Sequence, residues 1–148
     1  MNAELIGKQN FSTARNNFKT VFDTVAIQQR PLIVHRHRDE VFLISRRLQK
    51  ELLAGIGLSA EVLPEENGSV TIAVDALEIA VNGGNREEAI QELLAELKRY
   101  AADYMERIQL FVNAPNRRAH LPFVLRIILA DNDDEILQMV NWIDAAAV

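Results

Sequence analysis

The N-terminal part of the chain carries one apolar stripe at helical spacing, followed by two short apolar runs. Ser12 is a favourable N-cap, and the spacing after it predicts a helix over about residues 12–26. This helix is predicted to bury one stripe: Ala14, Phe18, Val21, Phe22 and Val25. Residues 32–36 and 41–44 are predicted strands that join at a hairpin tip, 37–40. With a further short helix, the pattern predicts a β-α-β-β-α unit.

The residues that follow predict a linker and then a second sheet. The segment 57–68 contains the turn-forming sequence PEENG, which favours a linker between two domains. Apolar runs at 70–74 and 77–81 predict two strands of a hairpin. The glycines of the following Asn-Gly-Gly turn at 82–84 are predicted to adopt positive φ.

Three helices are predicted after this hairpin. Asn85, with Glu88 three positions later, is typical of a capping box and begins a long amphipathic helix. Its stripe comprises Ile90, Leu93, Leu94, Leu97, Ala101, Tyr104, Met105 and Ile108. A second helix is predicted over 120–130, where Pro122 is tolerated in the first turn. The acidic residues 131–135 suit the start of a final helix, which would carry Ile136, Met139, Val140 and Ile143.

Length and composition bound the class of protein. A chain of 148 residues with 49% apolar and 25% charged residues fits one ordinary or two small folded domains. We predict an α+β fold with domains at 1–58 and 59–148. The absence of Cys and the three His residues leave no thiolate site and little material for zinc, so no metal and no cofactor are expected. No signal-peptide pattern and no bilayer-length apolar run are present, which favours the cytoplasm and no membrane partner.

Charge divides unevenly along the chain. Residues 1–60 hold nine Lys and Arg against five Asp and Glu, a net charge of +4. Residues 61–148 hold seven against sixteen, a net charge of −9. Such asymmetry is typical of a part that faces nucleic acid and a part that meets a basic partner, although chance unevenness of a solvated surface remains open.

The basic residues of the N-terminal half are the candidate DNA contacts. Arg15 and Lys19 are predicted to share the solvent face of the first helix, while Arg36, His37 and Arg38 lie at the hairpin tip. Such side chains make charge-assisted bonds to phosphates, and arginine also recognises guanine edges. One small unit offers few contacts, so a homodimer is expected for site-specific binding.

Residues 5–54 resemble the N-terminal domains of Phd/YefM antitoxins. The resemblance lies in three motifs in the family's order and spacing: FSTARNNF at 11–18, PLIVHR at 31–36 and EVFLIS at 40–45. It implies a dimeric β-α-β-β-α domain that binds operator DNA, represses its own operon and is joined to a toxin-neutralising region. The residues that match the family's DNA-proximal positions are Arg15 and Arg36.

The C-terminal half is similar, more weakly, to HicB-type antitoxin domains. The similarity comprises the strand at 69–74, the Asn82-Gly83 turn and the helix start at 86–90. The expected partner is a cognate toxin, such as a small basic ribonuclease, which an acidic domain would attract and cover sterically. Candidate toxin-binding residues on apolar stripes are Leu121, Phe123, Leu125, Ile136, Met139, Val140 and Trp142. Core packing is the equally open alternative for these residues.

Two other functions remain open from the sequence. The chain could be a stand-alone DNA-binding regulator whose acidic domain binds a ligand or mediates oligomerisation. It could also be a ribonuclease-like enzyme, for which Asp75, Glu78 and His120 are the available acid–base residues. No phosphate loop, nucleophile elbow or metalloprotease motif is present, so an antitoxin without enzymatic activity is the favoured interpretation.

Overall fold

The computed structural model describes residues 6–145, which form two compact units. Unit 1 comprises Met1–Leu52 and unit 2 comprises Leu53–Val148. This division lies six residues before the predicted domain boundary. Both units combine helices with a sheet, so the predicted α+β class is confirmed.

Unit 1 is built on a three-stranded sheet. Its strands are β1 (Gly7–Asn10), β2 (Leu32–Arg36) and β3 (Asp39–Leu43), in the order β1-β2-β3. β1 and β2 are parallel, so the chain between them must cross back along the sheet. Two helices, α1 (Phe11–Asn16) and α2 (Phe18–Ala26), make that crossover, and α3 (Arg46–Leu53) follows the antiparallel β2–β3 hairpin. The predicted β-α-β-β-α order is therefore present.

The first helical segment is two helices rather than one. Asn17 has φ −121° and ψ 33°, and both its backbone N–H and its side-chain amide donate to the carbonyl of Thr13. These bonds end α1 and leave Asn17 as the N-cap of α2. The predicted N-cap, Ser12, is also wrong, because Asn10 Oδ1 accepts from the Thr13 N–H at 2.8 Å.

The core of unit 1 is small. Ala14, Val21, Val25 and Leu32 are buried, with Val34 and Leu43 packed against them. The predicted stripe is wrong at Phe18 and Phe22, whose residues are 57% and 58% exposed. A helix that packs on a three-stranded sheet covers only its inner face, so these two rings lie on the surface.

The hairpin tip is two residues long, because Asp39 and Glu40, predicted to lie in the tip, are paired in β3. Only His37 and Arg38 lie outside the strands. His37 has φ 55°, in the left-handed region that two-residue hairpins require at their first turn position. Histidine enters this region more readily than most side chains, although glycine does so at lower cost.

Unit 2 contains a four-stranded sheet, part of which the sequence did not predict. Its strands are β4 (Leu58–Pro64), β5 (Val70–Val74), β6 (Ile79–Gly83) and β7 (Val140–Asp144), in the order β6-β5-β4-β7. The predicted linker at 57–68 is wrong, because most of it is the central strand β4. Leu58, Ala60 and Val62 are buried while Ser59 and Glu61 are exposed, which is the alternation of a strand with one core face.

The helices of unit 2 pack on one side of this sheet. They are α4 (Arg86–Glu106), α5 (Ile108–Asn113), α6 (Leu121–Leu129) and α7 (Asp133–Gln138), with short 3₁₀ helices at Asp75–Leu77 and Arg118–His120. The predicted start of α4 is confirmed, because Asn85 Oδ1 accepts from the Glu88 N–H at 2.9 Å. Most of the predicted stripe is buried, with Met105 exposed.

Gly83 serves close packing rather than the predicted positive-φ turn. Within residues 6–145, Gly68 is the glycine with positive φ, at 87°. Gly83 ends β6 beside the first turn of α4, where an added Cβ would lie 2.7 Å from the Cα of Ala89. The strand and the helix could not approach so closely with a side chain at this position.

The predicted final helix is wrong beyond Gln138. α7 is six residues long, and the chain then enters β7, which pairs parallel to β4 with Val140 opposite Leu58. The apolar residues 136, 139, 140 and 143 fit helical spacing, but the last three lie in extended or turning backbone. The edge of β4 would be open without β7, and the hydrogen bonds of this strand pair decide the structure where the helical spacing is this short.

Candidate nucleic-acid and partner surfaces

The tip of the β2–β3 hairpin presents three consecutive basic side chains. Arg36, His37 and Arg38 are exposed, with Arg36 opposite Asp39 at the end of the strand pair. The Arg36 guanidinium lies over the ring of Phe11, 5.2 Å from its centroid. This cation–π contact holds the guanidinium beside the start of α1 while it stays open to solvent.

Arg15 and Lys19 lie on different helices. Arg15 is exposed in the last turn of α1, four residues after Phe11, and lines the same groove as Phe11. Lys19 is exposed on α2, where its Nζ lies 3.2 Å from Asp23 Oδ2. The prediction that Arg15 and Lys19 share one helix face is therefore wrong, and Lys19 is partly neutralised by its neighbour.

An ion pair neutralises one carboxylate near the tip. Lys8 Nζ on β1 lies 2.5 Å from Glu40 Oε1 on β3. The hydrogen bond and charge of Lys8 hold the pKa of Glu40 below its usual value. At neutral pH this pair contributes no net charge, so the charge at the hairpin end comes from Arg36, Arg38 and Asp39.

An exposed apolar surface lies on the helix side of unit 1, and the sequence did not predict it. The apolar surface comprises Phe11, Phe18, Phe22 and Val41, each more than 40% exposed. Two open grooves of about 660 and 300 Å³ run along it and share Phe18, Val21 and Leu43. Contiguous exposed apolar residues of this kind mark interaction sites in folded proteins.

The seven candidate toxin-binding residues fall into two groups. Ile136, Met139 and Val140 are buried in the core of unit 2, so their side chains stabilise this unit. Leu121, Phe123 and Leu125 on α6 are half-buried, as is Trp142 on β7. Leu121, Phe123 and Trp142 also contact the core. The second group alone presents apolar atoms that a partner could reach.

His120 lies in a buried polar cluster. It is 5% exposed, and its Nδ1 lies 2.5 Å from the Tyr100 hydroxyl oxygen. Arg117 Nη1 donates to the same oxygen at 3.2 Å, which leaves the Tyr100 hydrogen to donate to a neutral His120. Burial, followed by the charge of Arg117, lowers the pKa of His120, while the charge of Glu78 opposes this shift. Tyr104 completes the cluster by donating to the Arg117 carbonyl at 2.9 Å.

The other acid–base candidates lie at the end of β5. Asp75 begins the 3₁₀ helix, and Glu78 follows it in the left-handed region. Glu78 Oε2 lies 3.8 Å from Arg117 Nη1. His120 thus faces a tyrosine rather than an open cleft. Among residues 6–145, no group of three or more His, Asp or Glu side chains could hold a metal ion.

Between residues 6 and 145, no helix is both long enough and apolar enough to cross a membrane. α4 is the longest helix of the described segment, at 21 residues, and it carries charged side chains along much of its length.

Comparison with known proteins identifies two similarities that span both units. Residues 5–143 match a PHD-like family described as antitoxins of RelE/RelB toxin–antitoxin systems. A crystal structure from Syntrophomonas wolfei subsp. wolfei, described as an antitoxin part of a proposed toxin/antitoxin system, superimposes with a TM-score of 0.86. The two sequences are 34% identical, and the match covers 95% of this chain and 100% of that chain. A comparison with curated proteins found no match.

Proposed function

We infer the function of this chain from one premise: it belongs to the PHD-like family of antitoxins of RelE/RelB toxin–antitoxin systems. The chain is proposed to act in the cytoplasm, where unit 2 neutralises a cognate toxin and unit 1 binds operator DNA to repress its own operon. The observation that carries this assignment is the separation of charge between two compact units. Residues 53–60 contain no charged side chain, so unit 1 has the net charge of +4 and unit 2 that of −9.

The proposed toxin is a small basic ribonuclease. An acidic surface attracts a basic protein and speeds its encounter with unit 2. Neutralisation is then steric, because a bound domain covers the active site or displaces its moving part. Four of the seven candidate toxin-binding residues have side chains that reach the surface: Leu121, Phe123, Leu125 and Trp142.

The proposed DNA-binding surface is the hairpin tip together with the start of the helical crossover. Arg36 lies over the ring of Phe11, Arg15 lies one turn after Phe11 on α1, and His37 and Arg38 extend the basic residues along the tip. Lys19 is proposed to contact DNA only at the periphery of this surface, because it already pairs with Asp23. The exposed guanidinium groups of Arg36 and Arg38, at the end of the hairpin, can contact the phosphates of a duplex.

This surface is tested by replacing Arg36 with Gln and measuring affinity for the DNA upstream of its own operon across a range of salt concentrations. Arg36→Gln should weaken binding and reduce the slope of log K against log salt by about one. Arg30→Gln is the matched control, because Arg30 is an exposed base at the opposite end of β2. Equal losses in both variants would show only an effect of net charge, and no loss in Arg36→Gln would contradict this site.

The occupant proposed for the apolar surface is a second copy of unit 1. Phe18 lines both grooves, and its ring centroid lies 6.3 Å from that of Phe22, which lines the larger groove. Their burial in a symmetric dimer would stabilise a unit whose own core holds four buried apolar residues. A dimer also doubles the number of phosphate contacts to an operator.

The dimer is tested by the variant Phe18→Glu, with mass measured by sedimentation. The full-length wild-type chain should be a dimer and Phe18→Glu a monomer with weaker operator affinity. The control is Ile27→Glu, since Ile27 is 73% exposed but lines neither groove. A monomeric wild type, or a dimer in both variants, would contradict the proposed interface.

The toxin is identified by purifying the tagged full-length chain from its native cells at moderate salt. We expect a small basic protein near equal stoichiometry. The alternative, a stand-alone regulator, predicts operator binding with no stoichiometric protein partner. The partner obtained in this way can then be expressed with and without the chain in growth assays.

A further inference from the structure

A strap of residues 107–120 connects α4 to α6 and packs back on the last turns of α4. It comprises α5 and the 3₁₀ helix that follows it, and α5 contributes no buried residue. Phe111 of α5 contacts Tyr104 of α4, with 5.0 Å between the ring centroids, but Phe111 itself is only half-buried. Between Tyr104 and Val124, His120 is the one buried residue. The only fully buried anchor of the strap is therefore a titratable side chain.

Titratable and charged groups face His120 from three elements. From α4, the Tyr100 hydroxyl oxygen lies 2.5 Å from Nδ1 of His120, and Tyr104 donates to the Arg117 carbonyl. From the strap itself, Arg117 Nη1 donates to the same Tyr100 oxygen at 3.2 Å. From the turn after β5, Glu78 Oε2 lies 3.8 Å from Arg117 Nη1, with its side chain 64% exposed. This arrangement fits a neutral imidazole, whose Nδ1 accepts the Tyr100 hydrogen.

A proton on Nδ1 would break this arrangement. The new N–H would point at the Tyr100 oxygen, which already accepts from Arg117, so two cations would share one hydroxyl. The Tyr100 hydrogen would lose its acceptor at the same time. The exposed carboxylate of Glu78 contacts Arg117 and compensates only in part. A buried imidazolium beside a second cation is costly, and the cost disappears when His120 reaches water.

We propose that protonation of His120 opens the strap, so that residues 107–120 detach from α4 while the sheet of unit 2 stays folded. The ion pair at the start of the strap, between Arg107 and Asp103, is about half exposed and contributes too little to hold the strap in place. Opening uncovers the ring of Tyr104, which is fully buried when the strap is closed. Mild acid then changes the surface that unit 2 presents, whether or not a toxin is its partner.

The test is hydrogen exchange of backbone amides in the full-length chain at pH 7.5 and 5.5, read by mass spectrometry and corrected for the intrinsic exchange rate. The double variant His35→Gln, His37→Asn leaves His120 as the only histidine, and asparagine tolerates the positive φ at position 37. Protection of residues 107–120 should fall at least about threefold at pH 5.5. The upper limit is about tenfold, because an exposed histidine has a pKa of about 6.5. Amides of β4 should keep their protection.

His120→Gln gives the complementary result, because glutamine can accept from the Tyr100 hydroxyl but takes up no proton. The strap of this variant should be equally protected at both pH values. If His120→Gln folds poorly, the imidazole signal of the double variant decides by NMR, since its titration midpoint must coincide with that of strap opening. Equal protection of the wild-type strap at both pH values, a pH response that persists in His120→Gln, or a parallel loss in β4 would overturn the proposal.

Discussion

The buried polar cluster of unit 2 gives a quantitative prediction for the variant Tyr100→Phe. The substitution keeps the ring and its contacts with Tyr104 and Phe111, whose centroids lie 6.1 and 6.5 Å away. It removes one oxygen, which contacts His120 Nδ1 at 2.5 Å and accepts from Arg117 at 3.2 Å. His120, which is almost fully buried, therefore loses the hydroxyl that contacts its Nδ1.

The expected destabilisation is about 1–3 kcal/mol, the usual penalty for leaving a buried polar group unsatisfied. For a domain of this size, each kcal/mol lowers Tm by about 4–8 °C. Tyr104→Phe is the matched control, because it removes one hydroxyl that donates to the neutral carbonyl of Arg117 at 2.9 Å. Its expected loss is smaller, about 0.5–1.5 kcal/mol.

The assay is urea unfolding at pH 7.5, followed by tryptophan fluorescence. Trp142 is the single tryptophan of the chain and lies on β7, so its signal reports unit 2. A loss below about 0.5 kcal/mol in Tyr100→Phe, or a loss no larger than that of Tyr104→Phe, would refute the account of the cluster.

Three further predictions concern single residues. Because the folded-state pKa of His120 is lowered, the unfolded chain binds a proton more readily, and the stability of unit 2 should fall as the pH drops below about 6.5. His120→Gln should flatten this pH dependence in the Trp142 fluorescence assay. Gly83→Ala should cost about 1–3 kcal/mol in urea unfolding, because its Cβ would lie against Ala89; an unchanged midpoint would contradict the close packing. His37→Gly should stabilise unit 1 by about 0.5–1 kcal/mol in calorimetry, since glycine relieves the positive φ; destabilisation would show that the imidazole has a stabilising contact.

The sequence predicts local features where propensity and packing agree. The N-cap at Asn85, the long helix that it begins and the hairpin strand β2 are all present, although Glu88 accepts from the Gly84 N–H rather than from that of Asn85. The β4 strand was missed because its buried residues, Leu58, Ala60 and Val62, stand directly before strong turn signals. β7 was mistaken for helix, since a run of about five residues fits either spacing and only its pairing with β4 decides between them.

Surfaces were harder to predict than elements. The basic residues of the hairpin are evident in the sequence, but the contact of Arg36 with Phe11 arises from folding. Phe18 and Phe22 fit a buried stripe, and nothing in their spacing indicates that the sheet is too narrow to cover them. In unit 2, a shallow cleft is lined by Ala102 of α4 and Ile128 of α6, and no local pattern could reveal it because the two residues lie on separate helices.

The central claim, that this chain is an antitoxin, is tested most directly by growth. The basic partner isolated with the full-length chain is expressed alone and together with the chain in a host that lacks both. The account predicts that the partner arrests growth by itself and that co-expression of the wild-type chain restores it. Growth unaffected by the partner, or arrested equally with and without the chain, would contradict the account.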